Sequence, residues 1–362
     1  MGDDEPMNFI GLEKVSADIE RMFREFNIQK IDDIKERFPV NRFTEMNIII
    51  AHRDFDKLLD LYTEGKKFAI VSGRGPSGPI HFGHIYVFQI VKFLQDAFDA
   101  HVFIPLSDDE KLVFGKIRDL EEGEYWAYDN AKLILALGFD KRKTHIYISS
   151  KQRWVYRYAL IISKKLTLST AKSALGVEDS TNIGVPFYVA VQIAHILQPT
   201  LEKKLPVVVP IGLDQDVYMR LARDVAERLN IPKPASLYVD FVNGLDGEPM
   251  SSSKPDTAIF INDDEEKIWR KILRAVTGGQ PTIEEHRRYG GDPNRCVIFQ
   301  WMKAFIFRSM NEANKHAELC RNGEIMCGFD CKGFLAKGLI NIARDLRRRA
   351  NNIPLEDFLL ED

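Results

Sequence analysis

The spacing of hydrophobic positions along this chain changes several times, and each change marks an element. Within residues 1–50 apolar positions recur every three or four residues, as in Ala17-Asp18-Ile19-Glu20-Arg21-Met22-Phe23 and Ile31-Asp32-Asp33-Ile34. That spacing predicts short amphipathic helices that cap a larger domain. Lys67-Phe68-Ala69-Ile70-Val71-Ser72 is a compact apolar run that stops at Gly73-Arg74-Gly75-Pro76-Ser77-Gly78-Pro79, and it predicts a strand followed by a tight loop. A helix is predicted next, from about His81 to Ala97. A second strand, His101-Val102-Phe103-Ile104, ends at Pro105 and runs into Ser107-Asp108-Asp109-Glu110-Lys111. From about 112 to 200 helical spacing dominates, with one strand-like piece at His145-Ile146-Tyr147-Ile148, which predicts an insertion between two halves of a sheet. Leu205-Pro206-Val207-Val208-Val209-Pro210-Ile211 then returns as a parallel strand and leads into Gly212-Leu213-Asp214-Gln215-Asp216 and a further helix.

Strand, glycine loop and helix in that order open a nucleotide-binding α/β unit. The fold expected is therefore α/β, a Rossmann-type parallel sheet with a helical insertion. Three regions are expected: a helical cap over 1–50, the sheet domain over 51–262 with the insertion at about 112–200, and a helical domain over 263–362. The last region has long helical patterns, a turn at Gly278-Gly279 and the basic cluster Arg344-Asp345-Leu346-Arg347-Arg348-Arg349.

A length of 362 residues, with 45% hydrophobic and 28% charged residues, suits a multi-domain globular enzyme and excludes a disordered, collagen-like or rod-like chain. The net charge of −3 excludes a protein that coats nucleic acid through bulk basic charge, so any such contact must be local. There is no apolar run of membrane-spanning length, and the acidic start MGDDEPMNFI does not resemble a secretory leader, so a cytoplasmic location is expected. The four cysteines, Cys296, Cys320, Cys327 and Cys331, cluster late in the chain, unlike the framework of a disulfide-stapled fold. They read either as free thiols or as a metal site.

Two short stretches could carry chemistry. His81-Phe82-Gly83-His84 sits where a helix begins, so backbone N–H groups and two imidazoles one turn apart can all face an anion. Gly83 between them leaves room for a flat base to approach the backbone. Alone, such a motif equally describes capping or surface histidines. Met250-Ser251-Ser252-Ser253-Lys254 is a hydroxyl-rich loop with a cation, able to close over phosphates and, alone, equally a solvated linker. The two together, far apart in the chain and each beside the predicted sheet, are more specific than either.

Taken with them, G-R-G-P-S-G-P-x-H-x-G-H, S-D-D-E-K, L-D-Q-D, M-S-S-S-K-P and T-G-G-x-P-T resemble tryptophanyl-tRNA synthetases of the archaeal and eukaryotic kind, over about residues 50–350. The resemblance implies activation of an amino acid, tryptophan in the first instance, by Mg2+-bound ATP as an aminoacyl adenylate, and its transfer to tRNA. It implies a dimerisation segment at 112–200, an anticodon-binding domain at 263–362 and a homodimer. It also implies that His81 and His84 hold the triphosphate and the charge of the transition state, while Ser251, Ser252, Ser253 and Lys254, with Met250, form a loop that closes on ATP. Arg74, Gly75, Gly83, Gly212 and Asp214 would border ATP. Glu110, Gln192 and Gln215 would surround the α-ammonium group, with Val71, Gly73 and Pro105 lining the amino-acid site.

Three positions depart from that pattern. Pro249 stands where the family has the lysine that opens its loop, and Val71 and Pro105 replace the tyrosine and glutamine that meet the indole N–H. A buried N–H left unpaired costs about 1–3 kcal/mol, so weak retention of tryptophan is expected unless Ser107, Tyr188 or His195 supplies an acceptor. The alternatives that stay open are a non-catalytic homologue, a ligase for another large amino acid, and a nucleotidyltransferase sharing the histidine motif, which would not need the helical C-terminal region. The cysteine spacing C-x23-C-x6-C-x3-C resembles that of members holding an iron–sulfur cluster, with the last gap one residue longer. A [4Fe–4S] cluster or Zn is thus implied there, with reduced free thiols as the alternative.

Overall fold

The computed structural model describes residue 23 and residues 27–360 apart from 177, 252 and 253. The helical segment expected around Ala17–Phe23 lies almost wholly outside those residues. The chain divides into two compact units, a larger one comprising Asp54–Val239, Phe260–Asp264 and the chain from Ile340 onward, and a smaller one comprising the residues up to Arg53, Asp240–Ile259 and Glu265–Leu339.

In the smaller unit, β1 (Gln29–Lys30) pairs antiparallel with β2 (Ile49–Arg53), Gln29 opposite His52 and Lys30 opposite Ala51. Ile31 and Ile34, expected on an amphipathic α-helix, instead anchor short 3-10 turns over Ile31–Asp33 and Lys35–Arg37. A spacing of three is the period of that tighter helix, so two apolar residues suffice to bury one of its faces. The helices expected after residue 263 are present as Glu265–Leu273, Ile283–Tyr289, Val297–Phe305 and Met310–Arg321. Ile283–Tyr289 starts at a capping box in which the Thr282 hydroxyl accepts from the Glu285 N–H (3.1 Å) while the Glu285 carboxylate accepts from the Thr282 N–H (3.2 Å).

The larger unit is built on five parallel strands, β3 (Ala69–Val71), β4 (His101–Leu106), β5 (Thr144–Ile148), β6 (Val207–Ile211) and β7 (Ala235–Val239). β3 lies between β4 and β6, β5 lies beyond β4, and β7 lies beyond β6. Nearly every residue of these strands is buried, which explains why they read as continuous apolar runs rather than alternating ones: a parallel sheet is covered on both faces by its crossover helices. Phe82–Phe98 links β3 to β4, Leu120–Leu135 links β4 to β5, and Asp216–Arg228 links β6 to β7. The strand-like piece at His145 is β5, paired with β4 from Val102↔Thr144 to Leu106↔Ile148, so the sheet passes through the block expected as an insertion. The helices beyond a simple crossover are Arg153–Ser163, Leu168–Leu175 and Gly184–Lys203, between β5 and β6.

The spatial order β5-β4-β3-β6-β7 has one consequence for function. Successive crossovers run outward from β3 in one direction and then, from β6, in the other, so a crevice opens past the carboxyl ends of those two strands. Gly73 follows the end of β3 and Gly212 follows the end of β6. Pro105 is unusual inside a central strand, because it cannot donate to the ladder. Its carbonyl accepts from the Arg74 N–H at 2.9 Å, on the side where β3 has already ended at Val71, so the missing N–H would have faced the loop and no strand-to-strand bond is lost. The outer edge of β5 is covered by residues 358–360: Ile146 donates to the Phe358 carbonyl (3.0 Å) and Leu360 donates to the Ile146 carbonyl (2.8 Å). Among the described residues no helix is long and apolar enough to cross a membrane.

Candidate active site

The loop after β3 does not leave the sheet at once. Arg74 forms an isolated parallel bridge with Leu106, and the Ser107 N–H donates to the Arg74 carbonyl (2.9 Å), so the glycine loop runs beside the end of β4 and brings the acidic turn against it. Gly75 is required by that proximity. A Cβ there would stand 2.6 Å from Glu110 Oε2 and collide with the Lys111 side chain. Gly73 is similarly tight, with an added Cβ 3.0 Å from the Pro105 ring.

Arg74 is the principal charge of the loop. One guanidinium nitrogen, Nη1, donates to the Gly75 carbonyl, while Nε and Nη2 are buried and have no hydrogen-bond partner among the described residues. Burial lowers the Arg74 pKa to about 10, with Glu110 acting in the opposite direction, so the group is still a cation at neutral pH. A buried cation with two unmet donors is a site that an anion completes.

His81 and His84 flank it. His81 is the extended N-cap of Phe82–Phe98, and its backbone N–H donates to His84 Nδ1 at 3.3 Å. The two rings stack with centroids 3.6 Å apart, and His81 Nδ1 has no partner among the described residues. Burial, and then the Arg74 charge, lower the His81 pKa to about 3; burial, Arg74, His81 and Lys111 hold His84 well below its usual range. Both imidazoles are therefore neutral at pH 7. Gly83, between them, lies in the first turn of the helix, where backbone N–H groups are unpaired by the helix itself.

The acidic turn divides its labour. Asp108 and Asp109 are buried and turn away from the loop to the end of β5: Asp108 accepts from the Ser150 N–H (3.0 Å) and from its hydroxyl, and Asp109 accepts from the Ser149 hydroxyl (2.6 Å). Glu110 faces the other way, with its Oε1 3.1 Å from Lys111 Nζ and its charge felt by Arg74, Tyr188 and Tyr218. Gln192 belongs to the same neighbourhood, since its Oε1 accepts from the Tyr188 hydroxyl at 3.3 Å. Asp214 and Gln215 follow Gly212 on a 3-10 turn and bond one another at 2.6 Å; the Asp214 charge, like that of Glu110, raises the Tyr218 pKa, which burial takes to about 12. Val71 is buried in the apolar cluster that includes Phe103, Tyr147 and Tyr188.

The structure thus brings Arg74, Gly75, His81, His84 and Glu110 together, with Gln192 and Asp214 connected to Glu110 through Tyr188 and Tyr218. Tyr218 carries no motif of its own, and Lys111 belongs to the acidic turn without a role implied for it there. Tyr218 stands four residues after Asp214 and Lys111 directly after Glu110, so proximity along the chain was the only signal available. Of the three side chains that could replace the missing acceptor for an indole N–H, His195 is engaged at both nitrogens, by Ser149 at Nε2 (3.2 Å) and by Tyr147 at Nδ1 (3.1 Å).

Met250, Ser251 and Lys254 lie in the smaller unit, and Ser252 and Ser253 lie outside the described residues. Pro249 closes an antiparallel bridge with Asn243 just before the loop. The cysteines also lie in the smaller unit, and all four are free thiols. The metal centre expected there is not supported: among the described residues no group of three or more His, Cys, Asp or Glu side chains is placed to hold a metal ion. Burial, followed by the other cysteines, raises Cys320 to about 11 and Cys331 to about 12, so both are neutral thiols at pH 7 in the metal-free protein. The basic cluster is largely paired, with Arg347 on the Asp263 carbonyl (3.1 Å) and Arg348 (2.6 Å) and Arg349 (2.7 Å) both on Asp345. With four arginines and one aspartate the helix face stays basic.

Fold and site define a nucleotide-binding α/β unit with an anion-seeking glycine loop at its switch point. The family model "tRNA synthetases class I (W and Y)" matches residues 63–343. Among curated proteins, the tryptophan–tRNA ligase of Pyrococcus furiosus is 40% identical over 331 residues, covering 88% of this chain and 84% of that one. The enzyme of the same name from Pyrobaculum calidifontis is 44% identical over 289 residues, covering 79% and 77%. Among solved structures, the tryptophanyl-tRNA synthetase of Aeropyrum pernix superposes with a TM-score of 0.89 at 30% identity, covering 97% of this chain and 98% of that one. The chain belongs to the class I tRNA synthetase family that contains the W and Y enzymes.

The depressed histidines set a pH dependence. A histidine whose folded pKa lies below its unfolded value binds its proton more readily when unfolded, so its contribution to stability is present above the unfolded pKa of about 6.5 and is lost as pH falls. His81 and His195, each lowered to about 3, and His145, lowered to about 4, all act in this direction. The midpoint of chemical unfolding should therefore fall steadily as the pH is taken from 7 to 5, and a flat midpoint over that window would contradict the neutral, buried imidazoles.

Proposed function

We propose that this protein is a tryptophan–tRNA ligase, activating the amino acid with Mg2+-bound ATP and transferring it to tRNA. The observation that carries the reading is the buried, incompletely paired Arg74 beside two neutral histidines at the head of Phe82–Phe98, an arrangement that needs a polyanion. In this reading the ATP phosphates take up the free donors of Arg74, His81 and His84 and the helix N-terminus, while Gly73, Gly75, Gly83 and Gly212 leave room for the nucleotide. The α-ammonium group of the amino acid lies against Glu110, Gln192 and Gln215, with Asp214 beside them. No side chain acts as a nucleophile: the carboxylate of the amino acid attacks the α-phosphorus, pyrophosphate leaves, and the protein contributes position and fixed positive potential. The segment from Met250 to Lys254 has its role from family resemblance alone.

Tryptophan is favoured by the names of the relatives, including a synthetase from Encephalitozoon cuniculi, 30% identical, solved bound to tryptophan. A ligase for another large amino acid is the second reading, and it is favoured by Val71 and Pro105, both buried and neither offering a side-chain acceptor. ATP–pyrophosphate exchange run with each amino acid in turn decides between them: tryptophan alone should support exchange, and a stronger response to another amino acid would contradict the assignment. In the same assay His84→Ala should be at least about tenfold slower, the loss expected when one charge-stabilising donor is removed; an unchanged rate would remove His84 from the site.

The protein should act as a homodimer through the block at 112–200, where Leu160 (62%), Leu168 (61%) and Ile183 (88%) are exposed. Light scattering at micromolar concentration should give twice the mass of the chain, and the mass of one chain would refute it.

A further inference from the structure

A chain of buried polar groups lies behind the acidic turn and is not part of the anion site. Asp109 Oδ2 accepts from the Ser149 hydroxyl (2.6 Å) and from the Tyr156 hydroxyl (3.0 Å), and its Oδ1 accepts from the Glu110 N–H (2.9 Å). Ser149 Oγ stands 3.2 Å from His195 Nε2, and the Tyr147 hydroxyl stands 3.1 Å from His195 Nδ1. Ser149, His195 and Tyr147 are each no more than 1% exposed, and Asp109 is 8% exposed. Asp109 has no ion-pair partner among the described residues.

The direction of every hydrogen bond follows from the carboxylate. Burial raises the Asp109 pKa and the Ser149 and Tyr156 hydroxyls oppose that shift; as a carboxylate Asp109 accepts from all three partners, so the Ser149 proton points to it. The Ser149 oxygen is then left to accept, and the donor must be His195 Nε2–H. A neutral imidazole carries one proton, so Nδ1 accepts from the Tyr147 hydroxyl. Burial keeps His195 neutral and Tyr147 protonated, in agreement with that order. The serine lies between carboxylate and imidazole, so the imidazole donates to it and cannot take its proton. The group is therefore no nucleophilic triad, whose base must sit between the other two.

Both ends of this chain stand next to residues that the proposed function uses. Asp109 precedes Glu110, and its Oδ1 holds the Glu110 backbone N–H. His195 lies three residues after Gln192 on Gly184–Lys203, on the same helix face. We propose that the Asp109–Ser149–His195 chain is a spacer that fixes the separation of Glu110 and Gln192, making Ser149 and His195 positioning residues for recognition of the amino acid's α-ammonium group. This rests on the reading of Glu110 and Gln192 as ammonium ligands. Removing the central hydroxyl leaves His195 Nε2–H without an acceptor and takes from Asp109 the donor that ties it to the end of β5, so the strand end and the helix are free to shift relative to each other. Ligand contacts on one side of the substrate are lost, and contacts to ATP are not.

Exchange kinetics and competition test this, using tryptophan, or whichever amino acid the exchange assay selects, and its analogue lacking the α-amino group. For Ser149→Ala the KM for the amino acid should rise about tenfold, a change of the size that misplacement by a fraction of an ångström produces. The KM for ATP and the inhibition constant of the analogue should stay as in the unaltered protein, and Ser149→Thr should restore the amino-acid KM. Tyr156→Phe, at a partly exposed position, should give a smaller rise with the same selectivity if Ser149→Ala does not fold. Equal losses for the amino acid, the analogue and ATP would overturn the proposal and leave a purely structural network. Glu110→Gln separates the two levels: a raised amino-acid KM there with none in either network variant overturns the spacer alone, and no rise in any of the three overturns the ammonium site as well.

Discussion

Desolvating the Arg74 guanidinium is the interaction on which the site depends. A buried charge that lacks partners costs several kcal/mol, and here two of its N–H donors have none. The cost is held by the sheet. Because the loop continues beside β4, with the Arg74 N–H on the Pro105 carbonyl and the Ser107 N–H on the Arg74 carbonyl, the side chain cannot swing out to water without breaking that pairing. Burial, reinforced by the same positive charge, keeps His81 and His84 neutral. A triphosphate entering the crevice would relieve all three groups at once, which is how a protein can store electrostatic stabilisation for a reaction that expels pyrophosphate.

Three consecutive carboxylates beside that cation could be expected to neutralise it, and two of them do not. Asp108 and Asp109 are taken up by Ser150 and Ser149 at the end of β5, so only Glu110 faces the loop. The sequence Ser107-Asp108-Asp109-Glu110-Lys111 is therefore a sorting device: two acids brace the neighbouring strand, one acid is free to meet a positively charged group, and the lysine partly screens it. Gly75 keeps this arrangement possible by offering no Cβ where Glu110 and Lys111 approach.

How much of this was legible in the sequence depended on whether the signal was local. β3, β4 and β6, the glycine loop and the helix from His81 onward were all visible, because each is a continuous apolar run or a period of 3.6 ended by Gly or Pro. β7 escaped because Ala235-Ser236-Leu237-Tyr238-Val239 mixes small and polar residues, and only the buried sheet position makes Ser236 acceptable. β5 was seen but placed in an insertion, since helical patterns surround it on both sides. The site's outline followed from motifs. Its internal wiring did not, since Ser149 and Asp109 stand forty positions apart and His195 a further forty-six beyond Ser149. The cysteines are the converse case: their spacing is suggestive and they lie near one another, yet among the described residues no group of three or more His, Cys, Asp or Glu side chains is placed to hold a metal ion.

Thermal unfolding of the protein and of Arg74→Leu, each with and without pyrophosphate, tests the central claim most directly. Leucine keeps the apolar bulk and removes the unpaired charge. The account predicts that the variant alone is at least as stable as the unaltered protein, while pyrophosphate at about a hundred times its dissociation constant stabilises the unaltered protein by about 2.7 kcal/mol and does nothing for the variant. A variant that is less stable without the anion, yet is stabilised by pyrophosphate as fully as the unaltered protein, would contradict it.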